Sequence, residues 1–191
     1  MVAGIDEVGR GPWAGPVVAA AVILDIDRLT DGLRNTIDDS KKISAPRREA
    51  IAGLLVGCAR IGIGAATVAE IGELNILGAT FRAMARAVAA LGITPDIALI
   101  DGNRPPPLCC PVRTVIRGDS VSLSIAAASI VAKVTRDRIM VRLATRYPEF
   151  GWEKNAGYGT AQHRAALDRV GVTPHHRKTF APIKVLLDAR C

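Results

Sequence analysis

Short apolar segments predict the strands of a buried sheet. Five segments have this character: Val2 to Ile5, Pro16 to Leu24, Arg60 to Val68, Ile97 to Ile100, and Val112 to Ile116. Their lengths suit strands better than helices. The third segment alternates only weakly and contains glycines, which are unfavourable inside a strand. Three consecutive prolines between Arg104 and Pro111 predict a loop before the last strand.

Helical periodicity appears between and after these segments. Ser44 precedes Ala45-Pro46, and a serine that caps a helix followed by an early proline predicts a helix start. We expect this helix to end near Val56. Apolar positions at helical spacing predict further helices from Asn75 to Leu91, from Leu123 to Val141 and from Ala161 to Val170. We expect an irregular tail after the last helix.

Consecutive strands followed by alternating helices and strands predict an α/β fold, a mixed sheet flanked by helices. A chain of 191 residues suits one domain with a substantial core. Glycines and prolines become frequent beyond Tyr147-Pro148. We therefore expect residues from about 150 to 191 to pack on a single domain, 1–191, as a helical C-terminal appendage.

Composition adds a first indication of partners. Apolar residues make up 49% of the chain and aromatic residues only 4%, so aliphatic side chains must fill the core. The 25 basic and 18 acidic residues give a net charge of +7. Such a charge suits a polyanion such as nucleic acid, but it is also compatible with simple solubility.

The cysteines and the apolar runs bear on the compartment. Cys58, Cys109, Cys110 and Cys191 have neither metal-binding nor disulfide spacing, so we expect reduced thiols in a cytoplasmic protein. No signal peptide opens the chain, and the longest apolar run, Val17 to Leu24, is too short to span a bilayer. We therefore expect no membrane association.

The segment from Asp6 to Pro12 is the strongest candidate for chemistry. Asp6 and Glu7 follow the first apolar run, and Gly9-Arg10-Gly11 comes directly after them. Carboxylates at the end of a strand can bind hard divalent cations. Glycines allow close approach of the backbone to a phosphate or sugar, and arginine binds phosphate. The alternative is a hairpin entry with solvated acids.

Two further acids stand at breaks in the pattern. Asp101 ends the fourth apolar segment and Asp119 precedes the long helix. Each has a structural alternative, since Asp101-Gly102 can be only a turn and Asp119 or Ser120 can cap the helix. Asp137 lies inside the helix, where we expect an ion pair with an arginine, so it is left out of the metal set.

Several motifs in one order resemble a known family, the type 2 ribonucleases H (ribonuclease HII). They are the run from Asp6 to Pro16, Asp39-Ser40-Lys41-Lys42, Asp101-Gly102, Gly118-Asp119-Ser120, Ser124 to Asp137, Gly157-Tyr158-Gly159-Thr160 and His176-Arg177. The resemblance implies a ribonuclease H-like fold. It also implies that Asp6, Glu7, Asp101 and Asp119 are catalytic and bind two Mg²⁺ or Mn²⁺ ions. Neighbouring strand residues point to opposite faces, so Asp6 and Glu7 share a site only if the strand bends.

The resemblance also implies how substrate is recognised. Gly9, Arg10, Gly11 and Tyr158 are expected to detect the ribonucleotide at an RNA–DNA junction. The substrates would be RNA–DNA hybrids and duplex DNA containing ribonucleotides, with incision 5′ of the ribonucleotide that leaves 3′-hydroxyl and 5′-phosphate ends. Backbone phosphates would be held by basic side chains, namely Lys41, Lys42, Arg177 and Lys178.

Some questions stay open at this point. Polar residues matching the family pattern have no assigned role, namely Ser40, Asn75, Thr160 and His163. We expect a monomer and see no sliding-clamp motif in the C-terminal residues. The competing readings are a non-catalytic duplex-binding module and a two-metal DNA nuclease without ribose selectivity.

Overall fold

The computed structural model describes residues 1–38, 40 and 43–189. Its centre is a mixed sheet with the strand order β3-β2-β1-β4-β5. The strands are β1 (Val2–Val8), β2 (Val17–Leu24), β3 (Ala59–Ala66), β4 (Ile97–Asp101) and β5 (Val112–Val115). β2 is antiparallel to β1 and β3, whereas β1, β4 and β5 run parallel. This is the mixed sheet that the sequence predicts.

Helices cover both faces of the sheet. They are α1 (Asp31–Arg34), α2 (Ala45–Leu55), α3 (Val68–Ala89), α4 (Leu123–Arg146), α5 (Trp152–Asn155), α6 (Ala161–Val170) and α7 (Ala181–Asp188). A 3₁₀ turn, Gly118–Ser120, leads into α4, and another, Pro148–Phe150, follows it. None of the described helices has the length and apolar character needed to cross a membrane.

Alternation along β2 divides the core into two layers. Val17, Ala19 and Ala21 pack with the apolar side of α3, while Ala20 and Val22 pack with α2 and α4. Successive residues of a strand point to opposite faces, so a strand buried on both sides can be apolar throughout. The small side chains let the long helices approach closely. An added Cβ at Gly64 of β3, for example, would overlap the α3 backbone.

A third apolar cluster belongs to the C-terminal part of the chain. Phe150, Trp152, Leu167 and Ile183 pack there around Met140 of α4. Two backbone hydrogen bonds connect this part to the segment after β1. The Arg177 N–H donates to the Trp13 carbonyl at 2.8 Å, and the Gly15 N–H donates to the His175 carbonyl at 2.9 Å. The C-terminal residues therefore lie directly beside the loop that follows the first strand.

The start of α3 differs from the sequence prediction. The helix begins at Val68 rather than Asn75, because Thr67 and Glu70 form a capping box that stabilises the earlier start. Asn75 has a positive φ of 58° and interrupts the helix, and its Oδ1 accepts hydrogen bonds from the N–H groups of Leu77 and Gly78. The periodicity after Asn75 therefore marks the second half of a kinked helix.

Two other predictions about helices are corrected. Ser44 is the N-cap of α2, but its side chain makes no capping hydrogen bond. The residues after α6 are not wholly irregular, because α7 begins after Phe180 with Pro182 in its first turn. Among the cysteines, Cys58, Cys109 and Cys110 are free thiols, as expected. Cys191 lies outside the described residues.

Candidate active site

Asp6 and Glu7 lie inside β1 rather than after it. The pairing of β1 with β2 continues through Asp6↔Ala20 and Glu7↔Ala19 to Val8. The first strand therefore extends beyond the predicted segment, Val2 to Ile5, and includes both acids. The alternation directs Asp6 towards α4, where its carboxylate lies against the Ser129 side chain, and directs Glu7 towards the α3 side.

Asp101 joins these two acids because β4 runs parallel to β1. Ile5 is in register with Ile100, so the next residues, Asp6 and Asp101, are neighbours at the carboxyl end of the strand pair. Oδ1 of Asp101 accepts a hydrogen bond from the Gly118 N–H at 2.7 Å. This contact fixes the 3₁₀ turn that contains Asp119 beside the end of β4.

Asp101 and Asp119 lie beside a turn and a helix start, the two features that offered structural alternatives for them. The N-cap of α4 is Ser122, so neither Asp119 nor Ser120 caps that helix. Asp101 is the last residue of β4, and Gly102 follows with a φ of +109°, so the turn begins after the acid. Asp137 pairs mainly with Lys133 at 2.7 Å and lies 3.8 Å from Arg48. Asp137 therefore forms an ion pair as expected, but its close partner is a lysine of the same helix, and the arginine near it belongs to α2.

A cleft of about 440 Å³ opens in front of Glu7 and Asp101. One wall is apolar and comes from the second half of α3, while the other carries charged and polar groups from the ends of β1 and β4. The lining residues are Glu7, Arg10, Leu77, Thr80, Phe81, Met84, Asp101, Gly102, Asn103 and Arg104. Arg10 and Arg104 make part of this cleft basic, which suits an anionic ligand.

Burial and mutual repulsion make the acids costly as anions. Burial raises the pKa of Asp6 well above its usual range, and the charges of Glu7 and Asp101 raise it further. Burial also raises the pKa of Glu7, although the charge of Arg10 opposes this effect. The Arg10 Nη1 lies 3.3 Å from Glu7 Oε1. The three acids are thus close enough to interact, and a cation between them would lower the cost of their charge.

Glu7 also offers an unsatisfied ligand atom. Its Oε2 is buried and has no hydrogen-bond partner among the described residues. A buried carboxylate oxygen without a partner is costly, and a cation would satisfy it. Among the described residues, no three His, Cys, Asp or Glu side chains are arranged closely enough to form a metal-binding group. The oxygen donors nevertheless fit a hard divalent ion by their chemistry.

The glycine loop after β1 lies against Tyr158. A Cβ built on Gly11 would be 3.4 Å from Cε1 of Tyr158 and 4.0 Å from its hydroxyl. The Tyr158 side chain is 52% exposed, so its ring is not a core aromatic. Gly157, with a φ of +86°, and the hydrogen bond from the Trp13 N–H to its carbonyl at 2.9 Å bring the two segments together.

Comparison with known proteins identifies the family of this chain. A sequence model of ribonuclease HII matches residues 3–183. The ribonuclease HII of Paramagnetospirillum magneticum is 62% identical, over 96% of this chain and 91% of that protein. That of Rhodospirillum rubrum is 60% identical, over 97% of this chain and 86% of that protein. The chain belongs to the ribonuclease HII family.

The fold is also similar to that of a solved ribonuclease H2. The crystal structure of ribonuclease H2 from Pyrococcus horikoshii has a TM-score of 0.81 to this chain at 27% identity, covering 98% of this chain and 97% of that one. The ribonuclease H-like fold is thereby confirmed. Ribonuclease HII proteins are ribonuclease H endonucleases, and this chain is an enzyme of that class. Dependence on a divalent metal is typical of the family.

The predicted phosphate-binding residues of this ribonuclease HII chain have different outcomes. Lys41 and Lys42 lie outside the described residues, and Lys178 is exposed. Arg177 is only 1% exposed, and its guanidinium donates to backbone carbonyls. In this arrangement Arg177 supports the loop after β1 and does not face solvent, so direct phosphate contact stays a prediction.

Several polar residues receive structural roles that the sequence left open. The buried Ser40 hydroxyl accepts from Ser129 at 2.7 Å, and Thr160 is the N-cap of α6. Nδ1 of His163 lies 2.9 Å from the Tyr158 carbonyl, and its Nε2 lies 2.9 Å from Nε2 of His176. The histidine pair therefore anchors the tyrosine segment. Spacing along the sequence carries no signal for such a pair, because its members meet only through packing.

Proposed function

We propose that this enzyme hydrolyses the RNA strand of RNA–DNA hybrids and incises duplex DNA on the 5′ side of an embedded ribonucleotide, leaving 3′-hydroxyl and 5′-phosphate ends. The observation that carries the proposal is the position of the acidic cluster beside the glycine loop. Asp6, Glu7 and Asp101 interact electrostatically, and Tyr158 faces Gly11 so closely that an added Cβ there would lie 3.4 Å from its Cε1.

Asp6, Glu7, Asp101 and Asp119 are the residues that would hold two divalent cations, Mg²⁺ or Mn²⁺. The orphaned Glu7 Oε2 and the raised pKa values of Asp6 and Glu7 support this assignment, because both costs fall when a cation is bound. Two such ions supply activation of the attacking water and stabilisation of the leaving oxygen in phosphodiester hydrolysis. Histidine is not needed as a base, and the buried His163 and His176 bind each other instead.

The loop residues supply the preference for ribose. Gly9 and Gly11 have no side chains beyond Cα, so a sugar can approach the backbone N–H groups of this loop closely. A 2′-hydroxyl both donates and accepts hydrogen bonds and thereby distinguishes RNA from DNA. The exposed Tyr158 ring offers a flat apolar surface for the adjacent sugar. Arg10, half exposed at the cleft, is positioned to attract a phosphate.

Cleavage of a labelled DNA duplex with one ribonucleotide tests the proposal, with an all-DNA duplex and a longer RNA–DNA hybrid as matched substrates. Each is incubated with Mg²⁺, with Mn²⁺ or with chelator. We expect metal-dependent incision immediately 5′ of the ribonucleotide, cleavage of the hybrid and no cleavage of the all-DNA duplex.

Other outcomes identify which part of the proposal fails. Cleavage of the long hybrid alone would keep the metal chemistry and reject recognition of single ribonucleotides. Equal cleavage of the all-DNA duplex would indicate a nuclease without ribose selectivity. A 2′,3′-cyclic phosphate product would reject attack by water, because that product requires the 2′-hydroxyl as nucleophile. Salt-sensitive binding without any cleavage would favour the non-catalytic duplex-binding module.

A further inference from the structure

Arg177 connects the C-terminal part of the chain to the glycine loop through its buried guanidinium. Its Nη1 donates to the Arg10 carbonyl at 2.8 Å, its Nη2 donates to the Gly9 carbonyl, and its Nε donates to the Gly15 carbonyl at 3.0 Å. All three acceptors belong to the loop after β1. One planar side chain therefore fixes the direction of three peptide groups in that loop.

The direction of those carbonyls determines where the loop presents its N–H groups. In a trans peptide the C=O and the following N–H point in opposite directions, and the described chain contains no cis peptide bond. Because the Gly9 and Arg10 carbonyls point inward to Arg177, the N–H groups of Arg10 and Gly11 point away from the buried guanidinium. Neither N–H donates a backbone hydrogen bond within the described residues, and both residues are exposed, so a ligand can reach them.

Arg136 of α4 also donates hydrogen bonds to the segment that follows β1. It is 1% exposed and donates to the Pro16 carbonyl at 3.0 Å, to the Ala14 carbonyl at 3.1 Å and to the Ala156 carbonyl at 2.9 Å. The last contact joins the loop to the segment that carries Tyr158. Arg136 also fills the space next to Gly9, where an added Cβ would overlap its Nε.

Burial of two cations is costly, so their arrangement calls for a functional explanation. Burial and the neighbouring charge of Arg136 lower the pKa of Arg177 to about 9, and burial lowers that of Arg136 to about 10. Within the described residues, neither guanidinium has a carboxylate partner in a salt bridge. Both are compensated by carbonyl oxygens of the two segments that form the expected sugar site.

We propose that Arg177 is a positioning residue for ribose selectivity: by holding the Gly9 and Arg10 carbonyls inward, it aims the Arg10 and Gly11 N–H groups at the 2′-oxygen of the substrate. The inference rests on the proposed function, since it assigns the origin of the sugar preference at the same site. It gives Arg177 a role in recognition through the backbone of the loop after β1.

The test is a ratio of two affinities. Dissociation constants are measured without activating metal for a duplex containing one ribonucleotide and for the matched all-DNA duplex. In Arg177→Lys the charge is kept but the planar fork is lost, and we expect the wild-type preference for the ribonucleotide to fall about 10-fold. Arg169→Lys, the same change at an exposed residue of α6, should leave the ratio unchanged.

The ratio separates positioning from general support of the fold. A purely structural role would weaken both affinities equally, and an unchanged ratio in Arg177→Lys would overturn the inference while leaving the proposed function intact. A wild-type ratio of one would instead reject sugar recognition by the enzyme itself. Thermal unfolding of each variant establishes that the measured protein is folded.

A second measurement uses the wild-type enzyme and does not depend on the stability of any variant. Amide resonances of Arg10 and Gly11 are followed by NMR while each duplex is added. We expect both resonances to shift with the ribonucleotide-containing duplex well beyond any shift with the all-DNA duplex. Identical responses to the two duplexes would contradict the direction assigned to these N–H groups.

Discussion

Gly11→Ala should separate catalytic function from stability. The φ of Gly11 lies outside the left-handed region, and a Cβ there would make an ordinary contact of 3.4 Å with Tyr158 Cε1. We therefore expect the free energy of unfolding to change by no more than about 0.5 kcal/mol. The new methyl group would nevertheless stand between the loop and the tyrosine ring, where the ribose is expected. The methyl group would displace the ribose by about 1 Å, and a misplacement of that size should lower kcat/KM for a single-ribonucleotide duplex by about 100-fold.

Gly9→Ala, in the same loop, should lower the stability of the fold. Gly9 has a φ of +92°, and its Cβ would overlap the Nε of Arg136, which is buried and held by three carbonyls. Left-handed backbone costs about 1–2 kcal/mol for an alanine, and overpacking adds about 1–3 kcal/mol. The sum is a loss of about 2–5 kcal/mol, or a fall of about 4–20 °C in Tm for a chain of this size.

The two variants are compared by urea and thermal unfolding and by cleavage of the single-ribonucleotide duplex. Gly53→Ala in α2 is the control, because an added Cβ there meets nothing within 4 Å. It should keep full activity with equal or slightly higher stability. Wild-type kcat/KM in Gly11→Ala would refute the position assigned to the ribose. Wild-type stability in Gly9→Ala would refute the close packing of the loop on Arg136.

Three further predictions concern the acids, the tyrosine and the histidine pair. Asp101→Asn should abolish turnover and leave hybrid affinity within a few-fold, and cleavage near the wild-type rate would reject the metal assignment. Tyr158→Ala should reduce incision at a single ribonucleotide by about 10-fold or more while the rise in Tm on adding Mg²⁺ is kept; equal loss of both would count against its sugar-binding role. Burial and the charge of His163 lower the pKa of His176 to about 4. The unfolded chain therefore binds more protons between about pH 6.5 and 4, and stability from this residue is lost as pH falls through that range, by at most roughly 3 kcal/mol. Urea unfolding at pH 7.5 and at pH 5 should show that the free energy of unfolding falls less for His176→Gln than for wild type. The buried acids change the stability in the opposite direction, but both proteins contain them, so their contribution cancels in the comparison. Equal losses of unfolding free energy in the two proteins would contradict the prediction.

Much of the fold was accessible from local patterns. The apolar segments that became β1, β2 and β4 are continuous and short, and such runs report burial directly. The ordered series of motifs from Asp6 to His176-Arg177 was sufficient to recognise the family. The start of α3 was missed because the Thr67–Glu70 capping box lies outside the periodic segment. The helix α7 was missed because it is short and follows an irregular stretch.

The arrangement of the site depends on contacts that no local pattern contains. The sequence by itself determined which residue types are present and that acids follow apolar segments. Only the parallel pairing of β1 with β4 brings Asp101 next to Asp6, and only packing of the C-terminal part places Tyr158 over Gly11 and buries Arg177 under the loop. Side-chain periodicity reports which face of an element is buried, but not which distant segment covers it. The sequence therefore does not distinguish an arginine that binds backbone carbonyls from one that binds phosphate. The surroundings of the side chain in the fold determine which role it has.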